Sequence, residues 1–144
     1  MQYQQAEKVT VVIPKTAAGT TNINGTAVDM SGWESVEFIG VVDTLTATQV
    51  TKLKAQYSTD NSTFADLEGT ALTAFADNAN NKAGRLEIVK PRHRYIRPVM
   101  LRGTENAAIS CVIAIQRGAH NEPITQDASV VSNESHVSPA AGTP

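Results

Sequence analysis

From Trp33 to Arg117 the sequence is a succession of short β-branched and aromatic runs, each closed by a Gly, Pro or Asn/Asp/Ser cluster. Nowhere does this stretch sustain the 3.6-residue apolar period of a long amphipathic helix. A chain patterned in this way must bury its strands against one another. The expected fold is therefore all-β, an antiparallel β-sandwich or a jelly-roll-like barrel with extended N- and C-terminal arms. With 144 residues the chain is long enough to close one core without disulfides or a structural metal.

Individual segments follow from the same reasoning. Val9 to Ile13 is β-branched and is stopped by Pro14, which predicts a first strand. Lys15 to Met30 reads as loop, with a hairpin-turn signal at Asn24-Gly25. Val36, Phe38 and Val42 share one face of a strand, with Gly40 at a bulge or a point of close packing. Leu53, Ala55 and Tyr57 alternate with lysines and glutamine, and a polar turn separates them from Phe64, predicting a hairpin. Thr70 to Ala76 fits a short strand or a helical turn, Asp77 to Gly84 a loop, and Arg85 to Val89 a strand. Pro98 lies inside the apparent strand Tyr95 to Arg102, and because it cannot donate a ladder hydrogen bond it implies an edge or a bulge. Ala108 to Ile115 is nearly continuous apolar sequence, as expected of a central strand buried on both sides.

The division of the chain follows: an N-terminal arm over 1–8, a sandwich domain over 9–118 and a C-terminal arm over 119–144. After Gly118 the composition turns to Ser, Ala, Asn and Pro with isolated apolar residues Ile124, Val130, Val131 and Val137. Such a segment cannot fold alone. It is either a disordered tail or an arm that becomes ordered on a neighbouring subunit, with those four residues in pockets and its backbone on a sheet edge.

Chemistry-bearing patterns are sparse. His93, His120 and His136 have no metal-ligand spacing, Asp60-Asn61-Ser62 and Asp77-Asn78 do not complete a calcium loop, and no serine sits in a nucleophile elbow. The lone Cys111 excludes an internal disulfide and reads as a small buried hydrophobe. The expectation is a non-enzymatic protein with no cofactor and no metal. A net charge of −2 gives no global attraction to nucleic acid or to an anionic membrane. The N-terminal residues carry no secretory pattern and no stretch has transmembrane length. The strongest local charge is the group Lys90, Arg92, His93, Arg94, Arg97 and Arg102, interleaved with Tyr95 and Ile96. Arginine with tyrosine suits a protein interface, so Arg92, Arg94, Arg97 and Arg102 join the four apolar arm residues as candidate partner-binding positions.

Leu53 to Leu67, with its polar turn leading to Phe64, together with Gly84-Arg-Leu-Glu-Ile88 and Lys90-Pro-Arg-His-Arg-Tyr-Ile-Arg97, resembles small structural proteins of tailed bacteriophages over about residues 33 to 117. The resemblance implies a capsid decoration or cement protein. Its partner would be the major capsid protein, its place the capsid surface of a virion assembled in the host cytoplasm, and its state a homo-oligomer, a trimer being one form. The alternative is a tail or fibre module that binds a receptor or a carbohydrate, which would need an exposed aromatic platform from residues such as Trp33, Tyr57 and Tyr95.

Overall fold

The computed structural model describes residues 5–138 and 140–143. Residues 1–4 of the expected N-terminal arm, and 139 and 144 of the C-terminal one, lie outside the described residues. Ten strands follow in order: β1 (Lys8–Ile13), β2 (Thr16–Gly19), β3 (Ile23–Asn24), β4 (Val28–Asp29), β5 (Ser35–Leu45), β6 (Lys52–Ser58), β7 (Ala65–Asp66), β8 (Ala83–Val89), β9 (Tyr95–Leu101) and β10 (Ala107–Arg117).

They make two antiparallel sheets packed face to face, a β-sandwich and not a closed barrel. The first runs β1-β10-β5-β8, with β2 continuing the lane of β1 along β10. The second runs β3-β9-β6-β7, with β4 continuing the lane of β3 along β9. Counting β1/β2 and β3/β4 as one lane each gives eight lanes in the orders 1-8-3-6 and 2-7-4-5. Every connection but the β6–β7 hairpin crosses between sheets, which is jelly-roll winding.

The core lies between the sheets. Phe38 from β5, Leu53 from β6, Ile96 and Met100 from β9, and Ile109 and Val112 from β10 are all fully buried there. Gly40 faces the other sheet at close range: a Cβ at that position would stand 2.9 Å from Met100 Cε. This is the close packing that the glycine predicted.

The region Lys15 to Met30, expected to be loop, supplies three short strands, β2, β3 and β4, because the long strands β9 and β10 offer them complete ladders. Asn24-Gly25 is not a hairpin turn. Gly25 N–H donates to Pro98 O at 2.8 Å, and a Cβ on Gly25 would collide with the Pro98 ring at 2.7 Å. Pro98 sits in the central strand β9, not at an edge. A residue's amide and carbonyl point to the same side of a strand, so the missing N–H of Pro98 faces the gap between β3 and β4. On its other side Pro98 pairs with Ala55 without breaking register.

Candidate functional site

The outward faces of the two sheets differ in chemistry. On the second sheet, Lys54, Gln56 and Arg97 project away from the core, as their chain neighbours Leu53, Ala55 and Ile96 are buried within it. They form a hydrogen-bonded polar layer. Lys54 Nζ and Gln56 Nε2 each reach Asp66 at 2.7 Å, and the Arg97 guanidinium donates to Gln56 Oε1 at 2.7 and 2.9 Å. Val99, the ladder partner of Lys54, shares this side and is 2% exposed.

The first sheet turns apolar side chains outward. Thr10, Val36, Phe38, Val112 and Ala114 point into the core, so by strand alternation Val9, Val11, Ile39, Val41, Cys111, Ile113 and Ile115 point away from it. Ladder register places them side by side: Val9 against Ile115, Val11 against Ile113 and Ile113 against Ile39, Cys111 against Val41. Val11 is 38% exposed and the others are half-buried. The strand β10 is therefore central but not buried on both sides, and Cys111 is a half-buried thiol on an outer face, not a core residue. An isolated antiparallel sheet ordinarily presents polar residues on such a face.

One end of this patch is bounded by a charged network. Glu37, 2% exposed, is held between Arg85 and Arg117, with Arg117 Nη1 at 2.7 Å and Arg117 Nε reaching Glu7 at 2.9 Å. The Arg85 guanidinium, then Arg117, hold the Glu37 carboxyl below its ordinary 4.5 against the burial that opposes ionisation. Asp29 is lowered from 3.8 chiefly by Arg94, and Asp66 chiefly by Lys54. Carboxyls lowered in the folded state stabilise it above their unfolded pKa, and that stability is lost as pH falls through the folded value. Thermal stability should therefore be level from neutrality down to about pH 5 and decline below that. Melting curves taken across the acid range check this, and Glu37→Gln should start lower at neutral pH and fall less steeply. An unchanged acid slope in that variant would mean that Glu37 is not held ionised.

The arginines of the candidate group play different parts. Arg102 is committed to the fold: its guanidinium donates to the carbonyls of Thr21 at 2.7 Å, Ala17 at 2.8 Å and Ala107 at 2.8 Å. Arg97 lies over the Phe64 ring at 3.8 Å and Arg94 forms a forked ion pair with Asp29. The Arg94 side chain nevertheless remains 57% exposed, and Arg92 is exposed beside it. His93 stacks on Tyr57 with ring centroids 3.8 Å apart. One face of each of the Tyr57 and Phe64 rings is thus already covered by a side chain of the same molecule, while Trp33 packs against the core.

The C-terminal segment divides at Val130. Gly118, at φ 68°, starts it, in a place where a Cβ would stand 2.6 Å from Glu34 Cβ. His120 then bonds Gly32 O and the Glu34 carboxylate. Further on, Ile124 N–H donates to Gln5 O at 3.1 Å, and Gln126 accepts from Val9 N–H at 2.9 Å while donating to Glu7 O at 2.6 Å. Ser129 Oγ accepts from Val11 N–H at 2.9 Å. Side chains rather than a backbone ladder thus satisfy the outer edge of β1, which blunts it against further pairing. Ile124 and Val130 are half-buried in this strap, whereas Val131 and Val137 are 92% and 93% exposed. Of the four apolar arm residues, two serve the chain's own edge and two stand free of it. Among the described residues no group of three or more His, Cys, Asp or Glu is placed to hold a metal ion, and no helix is long and apolar enough to cross a membrane. No protein-family model matches the chain, and no curated protein matches it.

Proposed function

We propose that this chain is a non-enzymatic structural subunit of a bacteriophage virion, a decoration or cement protein that binds the assembled shell of the major capsid protein and stabilises it. One observation carries the reading: the outward face that strands β1, β10 and β5 line with apolar side chains, whereas the second sheet carries the bonded layer of Lys54, Gln56 and Arg97 beside Val99 and Leu101. A surface of this kind is complete only when another protein covers it. The resemblance of residues 33 to 117 to small phage structural proteins supplies the kind of assembly. Just before β9, the exposed Arg92 offers its guanidinium to carboxylates of the shell, and Arg94, paired with Asp29 through Nε and Nη2, keeps an exposed side for the same contact. Repeated at every equivalent lattice position, a modest contact at each site sums to a clamp on the whole shell. A receptor- or glycan-binding role on a fibre is less well supported, because Tyr57, Phe64 and Tyr95 each carry a side chain of the same molecule over the ring and Trp33 packs against the core.

Co-sedimentation of the purified full chain with shells assembled from the major capsid protein encoded with it tests the reading. Saturable binding in fixed ratio to the capsid subunit is expected, and Arg92→Glu with Arg94→Glu should weaken it. A folded protein that stays in the supernatant at every concentration would refute the proposal.

A further inference from the structure

We infer that the outward apolar face of the β1-β10-β5-β8 sheet is the receptor for the C-terminal arm, residues 131–138, of a second copy of this chain. The inference rests on reading the chain as an assembly subunit and specifies what covers the face.

Four observations lead to it. The face is apolar across three strands, with Val11, Ile113 and Ile39 in one row. The arm starts at its margin, because Ser129 is bonded to the amide of Val11 itself. Val131 and Val137 are six residues apart, so in an extended chain both project to the same side, about 20 Å apart. That span exceeds a patch about 10 Å across its three strands and about 13 Å along them, so an extended arm crosses the whole patch with one valine at each margin. Finally, the arm does not lie on its own face: Val131, two residues beyond Ser129, is next to the patch and still 92% exposed.

Each copy thus carries one apolar face that is only partly covered and two exposed valines on its arm. Exchange between copies satisfies both in equal number, and it leaves the arginine end of the other sheet free for a different partner. The strap at Gln126 and Ser129 fixes where the arm leaves, so little ordering is needed before the valines.

Cys111 is the chain's single cysteine and it lies within the face, so its reaction with a maleimide reports directly whether the face is covered. In the full chain without shells, labelling should slow as protein concentration rises, about tenfold once nine-tenths of the faces are occupied. Light scattering should show self-association over the same range. Val131→Ser with Val137→Ser, both at exposed positions, should keep the fold, remain monomeric and label rapidly at every concentration. Four results would overturn the inference. Slow labelling independent of concentration means that the arm covers its own face. Concentration-dependent protection that survives the double substitution means that two faces pack directly. Protection that appears only with added shells assigns the face to the capsid and leaves the decoration role standing. Rapid labelling under all conditions means that nothing covers it. Protection by self-association in a protein that ignores shells would instead refute the decoration role and leave arm exchange intact.

Discussion

Phe38→Ala is expected to cost about 3–5 kcal/mol, the largest loss from any single side chain. Phe38 is the bulkiest of the fully buried residues. In the ladder it lies between Ala114 and Leu86, with Ala114 too small to fill a void from its side. Two sheets held in register by long ladders cannot collapse around a lost ring, so the cavity should persist. Set against a total stability of about 5–15 kcal/mol for a domain of this kind, the variant should be marginal. Phe38→Leu, which refills most of the volume, should cost about 1–1.5 kcal/mol. Urea unfolding midpoints decide it. A loss below about 1 kcal/mol for the alanine variant would mean that the sheets are not packed around this ring.

Arg102→Ala should cost about 2–3 kcal/mol, since three carbonyls near the surface lose a charged donor and regain only part of it from water. These carbonyls belong to β2, to the link from β2 to β3 and to the start of β10, so the guanidinium ties the crossing between sheets to a central strand. Lysine should not rescue it, because a single ammonium cannot reproduce the planar fork that reaches all three. Arg92→Ala, at an exposed position in the same basic group, should leave stability unchanged within about 0.5 kcal/mol. Equal losses from both substitutions would contradict the division of this group into a structural arginine and an exposed one.

The arginines show what a linear pattern conveys and what it conceals. Arg102 is indistinguishable from Arg92 in sequence, because Ala17 and Thr21, whose carbonyls it bonds, are 85 and 81 positions away. Strands with strong alternation, such as β5, β6 and β8, are legible from their own residues. Strands β2, β3 and β4 are not, since they have only two to four residues, too few to show alternation, and take their extended form from partners late in the chain. Pro98 misleads for a related reason: a proline is tolerated in a central strand when the neighbouring lane is broken opposite it.

The outward face is the most instructive case. Ala108 to Ile115 reads as a strand buried on both sides, and within the single chain it is buried on only one. The sequence pattern registers the demand for cover, whereas only the fold shows that the chain does not supply all of it. The arm was legible as a segment unable to fold alone, but its strap onto β1 was not, because Gln126 and Ser129 act through side chains that bond backbone amides.

The most direct test of the chain as a shell subunit is electron cryo-microscopy of capsids saturated with the purified protein. The account predicts sandwich-shaped density at every equivalent position of the outer lattice, with the β9 arginine end toward the capsid protein. Shells that bind the protein at no regular position, imaged under conditions where it is folded and in excess, would contradict it.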